Sequence, residues 1–422
     1  MAALAAGSAP QGAASPSLDQ LVLQYLDESG YRGAFDALQR DCAQPYDPGL
    51  FPPAQLRRLT AALRRLDESE EEALRGLRAA AAPAYAQHCA TTIANLHSGS
   101  NVTAVRWVGD QLLSGGADRH LCLSDPAGGG RSVARVRCDA GVVSLDVHQP
   151  SALGLAGCMD GSVSVLQVGQ GELNEIVRMR PHQKYAHCVR WHPAGRMFAS
   201  CSFDHTICVF EASIDSPTAF ERIQSIRCTG VVESIAWTDS SAQLIAAVRG
   251  APHLLVYHAQ TGESVSELPL DCAGGTVITA LAVEVSPDGN WITAASENGR
   301  TAVLSVTTAQ QVRLFASNDF DGQHLCRPVR VWHSSSKYVY ATIDDLNGPI
   351  AVWDVWNQRI VHTLNGHSGQ VRDMHVHPTN GALVTCGFDK SIRIWPLPLA
   401  PEASSNHTEE DSVDSVVQRM EL

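Results

Sequence analysis

The stretch NGHSGQVRDMHVHPTNGALVTCGFDKSIRIW, Asn365 to Trp395, holds three histidines, one cysteine and two aspartates within 31 residues. In isolation it could be a metal centre or a His/Asp/Thr catalytic cluster. Its relatives inside the same chain decide the question. LVTCGFDKSIRIW (383–395) aligns with MFASCSFDHTICVF (197–210) and QLLSGGADRHLCLS (111–124), and LGLAGCMDGSVSVL (153–166) and WITAASENGRTAVL (291–304) follow the same plan. Each copy has an apolar strand, a small residue, a turn Asp or Asn, and a second alternating strand. QLIAAVRGAPHLLVY (243–257) and YVYATIDDLNGPIAVW (338–353) are looser copies. That makes seven, mostly 34 to 48 residues apart, which is the signature of a repeat architecture.

The polar residues recur at fixed offsets. His367 stands 22 residues before Asp389, Thr385 four before it and Trp395 six after it. His182, Ser200 and Asp204 keep those offsets, with Phe210 in the Trp place. His97, Ser114 and Asp118 nearly keep them, with Ser124 there. A catalytic triad would occur once, whereas a ladder of variants is architecture. His375 and His377 alternate on one strand, yet no third ligand is near in sequence. His192 and His377 hold equivalent places before Pro193 and Pro378, which marks a turn.

These segments resemble WD repeats over about 310 residues. The resemblance implies four strands per repeat and an all-β seven-bladed β-propeller over residues 85–397. QHCATTIANLHSGSNVTAV (87–105) parallels QRIVHTLNGHSGQVRDM (358–374), so the segment around Thr91–Leu96 is expected as the outer strand of the last blade, closing the ring. In WD repeats the His, Ser or Thr, Asp and Trp form a hydrogen-bonded chain. The resemblance assigns that structural role to His367, Thr385, Asp389 and Trp395, and to His182, Ser200 and Asp204.

The residue before the turn Asp would lie at a rim, where Met159, Phe203 and Phe388 are partner-binding candidates. Packing of the two phenylalanines between blades is the alternative. Arg327, Arg330 and Arg372 start first strands and join this candidate rim.

Four regions surround or compose this domain. Residues 1–16 (Ala, Gly, Ser, Pro) read as a disordered leader, and residues 398–422 as an acidic disordered tail. SLDQLVLQYLDESGYRGAFDALQRD (17–41) has an apolar face at 3–4 spacing, a stop at Gly30 and a restart at Ala34. Residues 17–48 resemble a LisH helical hairpin, a dimerising unit, which implies a small α-helical dimerisation region with Leu21, Tyr25, Leu26, Tyr31, Phe35 and Leu38 at the interface. An ordinary hairpin packed on the rest of the chain is the alternative. Over 53–82, Leu56, Leu59, Leu63 and Leu66 follow a 3-4-3 pattern that Glu70 interrupts. This helix forms a short coiled coil or folds back.

Bulk chemistry bounds the function. With 44 acidic against 31 basic residues and a net charge of −13, the chain lacks the overall basic surface of a nucleic-acid binder. Only three of the cations are lysines: Lys184, Lys337 and Lys390. The twelve cysteines form no C-x-x-C pairs and several sit in apolar runs, which predicts free thiols in a reducing compartment, cytoplasmic or nuclear and not secreted. There is no long apolar span for a membrane and no phosphate-loop, dinucleotide, zincin or nucleophile-elbow motif. DPAGGGRS (125–132) joins two strand repeats and starts no helix. The expectation is a non-catalytic, cofactor-free and metal-free scaffold that dimerises and binds protein partners on its rim. The order of LisH, short coil and propeller resembles the lissencephaly-type dynein regulators, which implies a motor or microtubule regulator. The alternative is a subunit or substrate receptor of a ubiquitin-ligase or nuclear complex (splicing or corepressor). Against the receptor stands WDVW (353–356), with Trp356 where the Arg of a cullin-adaptor signature would fall.

Overall fold

A computed structural model describes residues 22–24, 26–27, 39, 75, 84–213, 216, 218–238, 242–270, 279–296, 299–316, 328–343 and 348–398. The chain divides into two compact units, Met1–Ala79 and Ala80–Leu422. In the first unit the described residues are helical, with Leu23 and Gln24 buried and Leu26 half-buried. Leu21, Tyr25, Tyr31, Phe35 and Leu38 lie outside the described residues, as do Arg327, residues 1–16, residues 399–422 and all of 53–82 except Arg75.

The second unit is a ring of seven four-stranded antiparallel sheets. The inner strands are Val102–Val108, Val142–His148, Ala186–Trp191, Val232–Trp237, Ala280–Val285, Arg330–Trp332 and Val371–Val376, opening blades 1 to 7 in chain order. Blades 1 to 6 are simple meanders. Blade 7 takes its outer strand from the other end of the domain: Thr91–Ala94 pairs antiparallel with Ser391–Trp395, Thr91 opposite Ile394 and Ala94 opposite Ser391. Thus the first strand closes the last blade, and the seven hairpins aligned from sequence are the second and third strands of the seven blades.

Second strands are buried on both faces, as in LGLAGC (Leu153–Cys158) and WITAAS (Trp291–Ser296), because each blade is covered by its neighbours. The apolar core therefore lies between blades. Ile93, Val105, Trp107, Leu112, Cys386 and Ile394 share one such layer across the closure. Outer strands alternate instead, as in Arg131–Arg137, whose outer side faces solvent. Ahead of the closing strand, Tyr85 packs edge-on against Tyr338 at 5.1 Å, and the Ala86 amide donates to the Tyr340 hydroxyl at 3.1 Å. Cys122, Cys158, Cys201, Cys208 and Cys386 are buried and free. Among the described residues, no helix is long and apolar enough to cross a membrane.

Candidate partner-binding end of the propeller

A meander of four strands puts the turn between strands two and three at the same end as the connection into the next blade. We call this end upper. The turn is held by the polar chain that recurs along the sequence. In blade 7, Trp395 Nε1 donates to Thr385 Oγ1 (2.9 Å), Thr385 to His367 Nε2 (2.7 Å), and His367 Nδ1 to Asp389 Oδ2 (2.8 Å). The carboxylate requires a donor at Nδ1, so the neutral ring is the Nδ1–H tautomer. Burial raises the Asp389 pKa, but the His367 and Ser391 hydrogen bonds outweigh it and bring it to about 2.

Blade 1 uses the same first links, Ser114 to His97 at 2.9 Å and His97 to Asp118 at 2.9 Å. Ser124, in the Trp place, turns instead to the Leu112 carbonyl. Blade 3 departs from the simple offsets. Ser200 donates to His182 Nε2 at 2.8 Å, but His182 Nδ1 meets Thr206 Oγ1 at 2.9 Å, and Thr206 passes the link to Asp204 at 2.5 Å. Asp204 itself stands 3.4 Å from the imidazole. The Thr206 hydroxyl, two residues after the Asp, stands between imidazole and carboxylate, whereas Ser391 at the same place in blade 7 bonds Asp389 and leaves the His367 link direct. His97 and His182 both have lowered pKa values, chiefly through burial, so both are neutral at pH 7. Blade 2 has no such His, and its turn uses Gly161 at φ 85°, where a Cβ would collide with the His182 carbonyl. Only glycine satisfies both that backbone and that approach.

Backbone bonds hold the residue that opens each of these turns. The Met159 amide donates to the Gly141 carbonyl and the Phe388 amide to the Gln370 carbonyl, both at 2.9 Å, and Arg249 does the same to Val231 at 2.8 Å. Ala117, Met159, Phe203, Arg249, Ile343 and Phe388 therefore form an arc at the upper end. Phe388 is 39% exposed, and the Arg372 guanidinium sits 5.0 Å from its ring centre. Phe203 is half-buried, stacked on Tyr185 at 5.8 Å and against His187 at 4.4 Å, while Tyr185 remains 45% exposed. Tyr185 carries no signal in the repeat alignment because it lies in a connection, where the repeats diverge.

A second set of residues at this end comes from bulges. The pairing of inner and second strands slips by one residue at Thr103, Val143, His187, Glu233, Leu281 and Arg372. A bulge re-aims its side chain, and here all six line the central cavity of about 370 Å³. His187 Nε2 stands 3.3 Å from Glu233, which also receives Arg249 at 2.8 Å. Arg330 is not bulged: it donates to Thr301 and Thr342, joining blade 5 to blade 6.

Deeper in the channel, side chains of one blade satisfy the free edge of the next. Asp373 accepts from the Val105 amide (3.0 Å) and from Arg106 (2.6 Å), and His375 from the Trp107 amide (3.0 Å). Ser144 and Asp146 serve the Val189 and Trp191 amides at 3.2 and 2.7 Å. His375 and His377 thus part company. His377 packs its ring on Trp107 at 5.0 Å and caps its own turn by accepting from the Thr379 amide, as His192 does with Trp237 and Ala194. Among the described residues there is no group of three or more His, Cys, Asp or Glu side chains that could hold a metal.

Glu284 in the channel is pushed up to about 8 by burial, against the opposing pull of Arg190 and Arg106. Its unfolded value is lower, so the folded state binds the extra proton, and stability falls as pH rises from about 4.5 to about 8. Glu284→Gln is expected to flatten that slope in urea titrations at pH 5, 6.5 and 8. An unchanged slope would refute the assignment.

Comparison with known proteins agrees with this geometry. The family model for "WD domain, G-beta repeat" matches residues 174–211 and 358–396. Human WD repeat-containing protein 36 is 34% identical over 70 residues, 17% of this chain and 8% of that protein. The target of rapamycin complex subunit wat1 of Schizosaccharomyces pombe is 26% identical over 113 residues, 27% of the chain and 34% of its own length. DDB1- and CUL4-associated factor 10 of Xenopus tropicalis is 26% identical over 127 residues, 30% of the chain and 26% of that protein. The chain thus spans about a third or less of the length of these relatives. Seven closed blades, the repeated His–Ser/Thr–Asp links and these matches lead to one conclusion: the domain is a seven-bladed β-propeller that contains WD repeats.

Proposed function

We propose that this protein is a non-catalytic scaffold whose upper propeller end docks protein partners. One observation carries the reading. Exposed Phe388 and half-buried Met159 are held on hydrogen-bonded turns, and exposed Tyr185 stacks on Phe203, around the mouth of a polar channel. Aromatic anchors on a rigid support lose little conformational entropy on binding. The polar chains, by contrast, spend their imidazoles and hydroxyls on bonds within their own blades.

Residues 17–48 would pair two copies through their LisH-like sequence and give avidity toward a partner with two sites. Full-length chain is expected to sediment as a dimer and residues 84–422 as a monomer. A monomeric full-length chain would refute the dimer.

The helix-then-propeller order supports a motor-regulatory role. The similarity to a cullin-associated factor supports the second reading, a ubiquitin-ligase or nuclear complex subunit. Affinity capture with mass spectrometry separates them, since dynein subunits, cullin adaptors or chromatin and splicing proteins each select one. Phe388→Asp and Phe203→Asp are expected to reduce recovery of the direct partner at least tenfold. If both variants keep every partner, the proposed anchors are wrong.

A further inference from the structure

The two ends of the propeller differ in their exposed charges, the turn carboxylates Asp118, Asp160, Asp204 and Asp389 of the upper end being half-buried. In the described connections at the upper end, the exposed charged side chains are Arg119, Arg180, Lys184, Arg249 and Lys390, against the single carboxylate of Asp139, which is paired with Arg178. At the opposite end they are Asp110, Glu263 and Asp288 against Arg196. A chain of net charge −13 thus gathers cations on one end, including two of its three lysines. The connections of blades 5 and 6 are acidic in sequence (Glu297, Asp319, Asp321, Asp344 and Asp345 against Arg327), and the described exposed cations of this end belong to blades 7, 1, 2, 3 and 4.

The backbone adds an independent point. Arg119 and Lys390 occupy the left-handed turn position, at φ 66° and 64°, where blade 2 has Gly161. His205 holds that place in blade 3 at φ 71°, and in all three glycine would relax the backbone. Arg119, Lys184 and Lys390 make no side-chain hydrogen bond or ion pair within the described residues, so the charges face solvent unspent. Tyr185 and Phe388 lie on the same arc.

We infer that the upper arc from blade 7 through blade 4 docks an acidic protein segment that carries an aromatic or large apolar anchor. This rests on the docking role proposed above and specifies its ligand. The carboxylates would meet Arg119, Lys184 and Lys390, with the anchor on Phe388 and Tyr185. The overall negative charge of the chain disfavours long polyanions such as nucleic acid, whereas a short segment meets only the local field.

The test measures fluorescence anisotropy of a labelled 12-residue peptide, eight Glu and Asp with two Phe, against full-length protein. Its lysine counterpart and a 12-nucleotide oligothymidylate serve as comparisons. Binding is expected for the acidic peptide alone, weakening at least tenfold between 50 and 300 mM salt. Arg119→Gly/Lys184→Ser/Lys390→Gly should lose at least tenfold more while keeping its melting temperature, since two of its changes suit the backbone. An Arg196→Ser control at the opposite end should bind as the parent does. Equal binding by the triple variant, or preference for the lysine peptide or the oligonucleotide, overturns the inference. So does peptide binding that appears only after residues 399–422 are removed, which would assign the arc to the chain's own acidic tail. If the triple variant keeps the captured partners that Phe388→Asp loses, the acidic specificity fails and the docking role stands. If Phe388→Asp also keeps them, the docking role fails as well.

Discussion

A chain beginning at residue 98 is expected not to fold, whereas one beginning at residue 84 should unfold cooperatively. The difference is 14 residues that carry a single four-residue strand, Thr91–Ala94. That strand supplies the outer edge of blade 7, buries Ile93 to 4% exposure and Leu96 to 8%, and lets Ile93 fill the space beside Gly130 in blade 1. Without it, Ser391–Trp395 has a bare edge, Ile392 and Ile394 lose cover, and the ring has an open seam. Ladder bonds and apolar burial together amount to about 5 kcal/mol or more, comparable with the whole stability of many domains. His97, the first member of the blade 1 lock, would also be lost from its bonds to Ser114 and Asp118. The check is circular dichroism and urea denaturation of residues 84–422 and 98–422. A cooperative transition of equal midpoint in both would mean that closure is not stabilising.

His367→Ala is expected to destabilise the propeller by about 3 kcal/mol, since it strands a buried Thr385 hydroxyl and the Asp389 carboxylate together. Because Trp395, Thr385, His367 and Asp389 form one directional chain, the losses should not add. His367→Ala/Asp389→Ala should cost clearly less than the sum of the single changes in a urea double-mutant cycle. Additive losses would show that the links act separately. The chain also sets a pH limit. The folded Asp389 pKa is about 2, below the unfolded value near 3.9, so its contribution is complete above about pH 4 and is lost as pH falls through 2. In Asp389→Asn the stability lost between pH 4 and pH 2 should shrink.

Much of this was legible in sequence because it repeats. Seven copies of one hairpin, each too small to bury its own faces, require stacking, and the parallel between residues 87–105 and 358–374 located the closing strand. The members of the polar chains were legible for the same reason, since a buried hydroxyl or imidazole must find a partner and the constant offsets named it. The detour through Thr206 was not legible, because Ser391 fills the same place in blade 7 without entering between His367 and Asp389.

Tertiary structure alone decided the rest. One-residue slips in pairing aimed His187, Glu233 and Arg372 at the channel mouth, and a slip depends on strand twist and on the neighbouring strand. Tyr185 beside Phe203, and Asp373 beside Arg106, join residues of different blades or connections. So does the gathering of Arg119, Lys184, Arg249 and Lys390 on one end of an acidic chain. Repetition determined the blades because each blade answers the same local packing problem. The make-up of the upper end had to wait for the closed ring, which brings together side chains that the sequence keeps up to 271 residues apart, from Arg119 to Lys390.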